Sequence, residues 1–264
     1  MKGRAEDFFQ VHGLTKAFGG LSAVKDVTFS LKKEEILGLI GPNGAGKTTV
    51  YNLISGLLSL DHGNILLNGE DLTGLPAHSI AKKGIVRTFQ GTRIFRNLTL
   101  FQNFSIGRHC RYHEPLLSSS FLGSIIRTRF FNRSDFEDKV IEETMEFLEL
   151  SHVKERVAGD LRIIDQILIG IGMALCAEPI LLLLDEPFAG LNLSEIDKVM
   201  GIIGQIRKRG TSVLLIEHHM KALMGISDRI VVLNYGEKIA EGSPIEISKD
   251  EKVIKAYLGT RDVT

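Results

Sequence analysis

An unbroken apolar run, Ile36-Leu37-Gly38-Leu39-Ile40, leads directly into Gly41-Pro42-Asn43-Gly44-Ala45-Gly46-Lys47-Thr48. A helical stretch, Thr48 to Ser55, follows and is closed by Gly56. A short run without polar alternation suits a strand buried on both faces, as in a parallel sheet. The glycine-rich segment matches G-x-x-x-x-G-K-[ST] in full, between a strand and a helix as that motif requires. Glycines let backbone N–H groups curl around phosphate oxygens, and the helix start adds positive potential. In such a loop Lys47 reaches the β- and γ-phosphates and the Thr48 hydroxyl ligates Mg2+. The candidate ATP-binding residues are therefore Gly41, Pro42, Asn43, Gly44, Ala45, Gly46, Lys47, Thr48 and Thr49.

The rest of the chain supplies a sheet to carry that loop. Ile180 to Leu184 reads as a buried strand, and Ser212 to Ile216 and Ile230 to Leu233 read as strands. Ser194 to Arg207 reads as a helix with Ile196, Val199, Met200, Ile203 and Ile206 inward. Strands alternating with helices imply a parallel α/β sheet. Leu181-Leu182-Leu183-Leu184-Asp185-Glu186 puts two acids at the end of an apolar strand, where ligands bind in open α/β sheets. Asp185 is placed to hold Mg2+, and Glu186 to polarise an attacking water.

Earlier in the chain, Phe8 to Val11 and Val27 to Leu31 read as strands. Gly63 to Glu70 reads as a strand entering an Asn68-Gly69 hairpin turn. Ser134-x-x-Glu137 is a capping box, with Val140, Ile141, Thr144, Phe147 and Leu148 on one face of the helix it opens. Between Arg108 and Arg133 the chain is irregular and basic, which suits a solvated insertion loop; the alternative is a lipid- or partner-facing patch.

Composition narrows the function classes. The chain has 264 residues, 44% hydrophobic and 24% charged, enough apolar material for a sizeable core. Lys+Arg and Asp+Glu are both 32, so there is no global basic field for nucleic acid. Cys110 and Cys176 cannot build a disulfide framework and fit a reducing compartment. The opening MKGRAEDFFQ is charged, so no apolar secretory leader is expected. The most apolar stretch, Ile167 to Ala177, is followed by Glu178-Pro179 and then Ile180 to Leu184, so charge and proline break it well short of the ~20 consecutive apolar residues of a membrane span.

In order along the chain, these motifs resemble the ATP-binding subunit of an ABC transporter. The resemblance covers nearly the whole sequence. It implies a RecA-like parallel-sheet core of the P-loop NTPase type, with an antiparallel β subdomain (about 6–35 and 62–70) and an α-helical subdomain (about 91–177). Residues 6–240 would form one ATP-binding domain and 241–264 a helical tail. It also implies that Phe18 stacks on adenine, that Gln90 contacts Mg2+ and water, and that His218 senses the γ-phosphate. Ala189-Gly190-Leu191-Asn192 resembles the loop that crosses the family's dimer interface. Gly84-Ile85-Val86-Arg87-Thr88-Phe89-Gln90, Ile216-Glu217-His218-His219-Met220-Lys221 and Lys255-Ala256-Tyr257-Leu258-Gly259 are similar to importers of branched-chain amino acids and related amides. The last of these also occurs in the ATPase of lipopolysaccharide export. The resemblance implies permease subunits as partners, a second ABC ATPase subunit, and a place at the cytoplasmic face of the cell membrane.

One segment departs from the family. Where its signature loop reads Leu-Ser-Gly-Gly-Gln, this chain has Leu161-Arg162-Ile163-Ile164-Asp165. Arg162 removes the serine hydroxyl, and two β-branched residues resist conformations that glycine accepts. Asp165 adds negative charge near a polyphosphate and competes for Arg162. In a head-to-tail dimer, each signature loop completes the other subunit's ATP site. This chain's own phosphate site is expected to work with a partner that supplies an intact signature, while the mirror site is impaired. The alternative is a hydrolysis-poor regulatory or assembly subunit. Just beyond, Gln166 to Met173 carries two glycines and several isoleucines where the resemblance implies helix.

Overall fold

The computed structural model describes residues 8–88, 94–112 and 134–258. Gln90 and residues 113–133, most of the basic insertion, lie outside the described residues. In chain order the elements are β1 (Phe9–Phe18), β2 (Leu21–Leu31), β3 (Ile36–Ile40), α1 (Lys47–Ile54), β4 (His62–Leu67), β5 (Glu70–Asp71), α2 (Ala77–Lys82), β6 (Ile85–Arg87), α3 (Leu100–Tyr112) and α4 (Ser134–Phe147). Then follow α5 (Ile163–Cys176), β7 (Leu181–Asp185), α6 (Leu193–Lys208), β8 (Ser212–Ile216), α7 (Met220–Ile226), β9 (Arg229–Asn234), β10 (Glu237–Gly242), α8 (Pro244–Lys249) and α9 (Glu251–Leu258). The chain divides into two compact units, one of residues 1–87 with 180–264, the other of residues 88–179.

The first unit holds both sheets. One is antiparallel, ordered β2-β1-β4-β5; the other is ordered β10-β9-β3-β8-β7-β6. In the second sheet β6, β7, β8, β3 and β9 are parallel, and β10 closes the edge antiparallel to β9. The continuously apolar strands β3, β7 and β8 are buried at every position, as their lack of alternation requires. Asn68 and Gly69 both take positive φ between β4 and β5, the turn their sequence favours. Strands β1 and β2 run past the predicted Phe8–Val11 and Val27–Leu31. Their distal halves pair by backbone bonds while exposing side chains, so the apolar pattern fades before the ladder does. Ile180, predicted as the first residue of its strand, is instead exposed, and the strand runs from Leu181 to Asp185.

The second unit is helical. Residues 163–176 form helix α5, so the Gln166 to Met173 run is helical as the resemblance implied, although its isoleucines favour strand. Packing overrides propensity here, and Gly172 shows how. A Cβ at Gly172 would lie 2.1 Å from the Phe104 ring of α3, so only glycine permits this close approach. The reading of Arg108 as the start of a solvated basic loop is corrected. Its side chain is buried and donates to the Cys176 carbonyl at 3.0 Å and the Glu178 carboxylate at 2.6 Å. A long side chain that spans a helix pair to reach two acceptors belongs to the interior, and sequence proximity to other arginines does not reveal that. Ser134 opens α4, but its side chain lies outside the described residues.

Candidate nucleotide site

The phosphate loop starts where β3 ends. At Gly41 a Cβ would sit 2.2 Å from the Leu233 carbonyl oxygen, and at Gly46, the N-cap of α1 with φ 99°, one would sit 2.5 Å from that of Ala23. Side chains are thus excluded, and the loop turns tightly between β2 and β9. Ala45 N–H donates to the Pro42 carbonyl at 3.1 Å, closing the turn. The Lys47 ammonium is buried and donates to the carbonyls of Gly41 at 2.7 Å and Pro42 at 3.1 Å. Burial lowers its pKa from the usual lysine value, opposed by the charges of Glu186 and Asp185. Asn43, Gly44 and Thr48 are exposed, and Thr49 is half-buried. Phe18, at the end of β1, exposes about half its surface, with the Lys16 ammonium 5.8 Å from its ring centroid.

The acids at the end of β7 lie in the same unit. Asp185 is buried and accepts from the Arg87 guanidinium at 2.7 Å. Arg87 also donates to Asn52 at 2.5 Å and stands 5.3 Å from the Tyr51 ring centroid. Tyr51, one turn along the helix from Lys47, donates its hydroxyl to the carbonyls of Leu184 and Leu214. Burial pushes the Tyr51 phenol well above its usual pKa, so it stays a donor. These contacts fasten helix α1 to the strand that carries Asp185. Removing Arg87 alone would leave a buried carboxylate without its cation, at a cost of about 3–5 kcal/mol.

Glu186 takes φ 52° and donates its N–H to Ile216 at 2.9 Å. Its Oε1 lies 3.0 Å from His218 Nε2. Glu217, next to His218 in sequence, is buried and accepts from the N–H groups of Phe188, His218 and His219. The segment Ala189 to Asn192 ends in a capping box: Asn192 accepts from Glu195 N–H, and the Glu195 carboxylate accepts from Asn192 N–H. His219, given no role from sequence, caps α7 by accepting from Ala222 N–H at Nδ1.

In the helical unit, the altered signature segment enters α5. Arg162 donates twice to Asp165, at 2.9 and 3.0 Å, so the expected competition for Arg162 is realised as a bidentate pair. Ile163 is exposed, while Ile164 is buried. The Gln166 amide donates to the Leu161 carbonyl at 2.8 Å, tying the segment to its own helix.

Sequence reading assembled Lys47, Thr48, Asp185, Glu186 and His218, and the structure places all of them in the two-sheet unit. It missed the roles of Arg87, Tyr51 and Glu217. For Glu217 a signal existed, since a carboxylate flush with the end of a buried strand needs donors. For Arg87 no local signal exists, because its partner Asp185 is 98 residues away.

A glycine loop between a parallel strand and a helix, with acids ending a strand two places along the same sheet, defines a nucleotide-binding P-loop ATPase. The ABC transporter family matches residues 24–189, and the family described as branched-chain amino acid ATP-binding cassette transporter matches residues 237–263. The chain belongs to the ABC transporter ATP-binding family and is an ATPase subunit of that class. It is 42% identical over 252 residues to the high-affinity branched-chain amino acid transport ATP-binding protein BraF of Pseudomonas aeruginosa, covering 95% of this chain and 97% of that one. It is 41% identical to LivG, of the same description, from Escherichia coli, covering 97% and 99%. The lipopolysaccharide export ATP-binding protein LptB of Escherichia coli is 32% identical over 93% and 95%. A nucleotide-free ATP-binding cassette from an ABC transporter superposes with a TM-score of 0.83 at 29% identity, covering 96% of this chain and 100% of that one. Among the described residues no helix is long and apolar enough to cross a membrane.

Proposed function

We propose that this chain powers import of branched-chain amino acids or related small solutes, seated on the cytoplasmic face of the cell membrane through integral-membrane permease subunits. The C-terminal family match and the names of the relatives at 41–42% identity support that solute class; the lipopolysaccharide exporters, at 32–33%, support export less. Residues 6–240 act as one ATP-binding domain, residues 91–177 pass motion to the permease, and residues 241–264 form a tail.

MgATP is the substrate. The amides of residues 41–46 cradle its phosphates, and Phe18 stacks on adenine. Lys47 exchanges the loop carbonyls that now hold it for β- and γ-phosphate oxygens. The Thr48 hydroxyl, Gln90 and the Asp185 carboxylate form an oxygen-only donor set, which suits Mg2+. Arg87 now holds Asp185 at 2.7 Å, so Mg2+ would share or displace that pairing. Glu186 polarises the attacking water, and His218 contacts the γ-phosphate. One observation carries this reading: Glu186 Oε1 and His218 Nε2 are 3.0 Å apart at the ends of neighbouring parallel strands, in the unit that carries Lys47. A base and a hydrogen-bonded orienting group are the pair that water activation needs.

The altered signature supports a heterodimer with one competent site. Arg162 spends donors on Asp165 that a neighbouring nucleotide would otherwise receive. The same pair favours a second reading, a regulatory or assembly subunit with little hydrolysis of its own. ATP turnover decides between them. On the first reading the purified chain binds MgATP but turns over poorly, and adding an ABC subunit with an intact signature raises turnover at least tenfold. Vigorous turnover by the pure chain sinks the heterodimer; no gain with the partner supports the regulatory reading.

A further inference from the structure

Glu217 is the most enclosed acid beside the phosphate site that the proposed chemistry leaves without a task. It is 4% exposed, and its carboxylate faces two separate stretches of chain. One oxygen accepts from Phe188 N–H at 2.8 Å. The other accepts from His218 N–H at 2.8 Å and His219 N–H at 3.0 Å. Phe188 lies two residues after Glu186 and directly before Ala189-Gly190-Leu191-Asn192, so the carboxylate joins the histidine strand end to the mouth of that loop. A second tie runs parallel to it, Glu186 N–H donating to the Ile216 carbonyl at 2.9 Å. A third is the contact between the Glu186 and His218 side chains at 3.0 Å.

An ionised carboxylate offers only acceptors, and backbone N–H bonds to it are stronger than neutral ones. Buried, it must keep those donors, because nothing else offsets the loss of water. Residue 218 therefore cannot move along its strand axis without drawing Phe188 after it or breaking a charge-assisted bond. We propose that Glu217 is a positioning residue that makes His218 and residues 188–192 respond to nucleotide as one body. The proposal rests on the reading that His218 contacts the γ-phosphate.

The test uses the full chain and three variants, with amide exchange followed by NMR at Phe188, His218 and His219. Without nucleotide, Glu217→Gln keeps one acceptor oxygen but turns an amide N–H2 toward backbone donors; exchange at the Phe188 and His218 amides should rise together by about tenfold or more. Glu217→Asp still reaches its own strand's donors but is one methylene too short to bridge, so only Phe188 should lose protection. In wild type, MgATP should protect residues 188–192 and 217–219 more than MgADP does; in Glu217→Gln the first segment should stop responding while MgADP affinity stays within about twofold. In the assembled transporter kcat should fall about tenfold with KM for MgATP within about threefold, a split that general loosening would not give. Unchanged exchange at Phe188 in both Glu217 variants, or a 188–192 segment that still follows MgATP in Glu217→Gln, overturns the proposal. His218→Ala separates the two claims. If it leaves turnover intact, the γ-phosphate reading of His218 fails, while the nucleotide-free exchange still decides whether Glu217 joins the two stretches.

Discussion

The phosphate loop and the altered signature segment are built from similar chemistry but arranged to opposite effect. Both place a basic side chain beside an acid near the start of a helix. At the loop, Lys47 is held only by carbonyls of its own turn, neutral acceptors that a phosphate outcompetes. Its nearby acids raise its affinity for a proton without bonding to it. At the signature segment, Arg162 is held by a full carboxylate at two points, 2.9 and 3.0 Å away. One cation is ready to exchange partners; the other has a partner already. The difference teaches that a helix start with a basic residue is not a phosphate site unless its donors are only weakly engaged.

That contrast can be broken experimentally. The largest effect is expected from Lys47→Ala. MgATP affinity measured by calorimetry should fall at least about a hundredfold, since interactions with a charged polyphosphate are lost outright. Retained affinity would mean that residues 41–48 do not hold the nucleotide. Next comes the pair Arg162→Ser with Asp165→Gln, which opens the signature segment while sparing buried Ile164. Turnover of the chain alone should rise about tenfold, and a flat response would show that the ion pair does not limit hydrolysis.

Smaller effects test the frames behind the two regions. Gly172→Ala forces a methyl group against the Phe104 ring, so the helical unit should lose about 1–3 kcal/mol in denaturant unfolding. Stability unchanged within error would mean that the α3 and α5 packing is looser than described. Burial pushes the Cys176 thiol up to about 12. Its folded pKa lies above the unfolded value of 9.0, so the stability it contributes is complete below pH 9 and is lost as pH rises towards 12. At pH 8 Cys176 should therefore resist thiol-modifying reagents, read by peptide mass, until the chain is unfolded.

Much of the first unit was legible because its information is local. The strand Ile36–Ile40, the glycine loop and helix α1 are adjacent in sequence, and each constrains the next. The acids Asp185 and Glu186 declared themselves by ending an apolar run. The helical unit was harder. The glycine at position 172 looked like a helix breaker because its reason, the Phe104 ring, lies on another helix. Arg108 looked like surface because its acceptors at Cys176 and Glu178 are about 70 residues away.

By itself, then, the order of residues determined that a nucleotide phosphate loop stands on a parallel sheet, and that acids end an apolar strand at 185 and 186; set against the family's signature, it also shows that 161–165 lacks the serine and glycines. Those are statements about residue type and short-range spacing, which strand and helix periods translate directly. Tertiary structure alone decided that Arg87 balances Asp185 and that Glu217 gathers amides from both sides of the site. Burial made those decisions, because a charge removed from water takes its partner wherever the folded chain provides one, however far away in sequence.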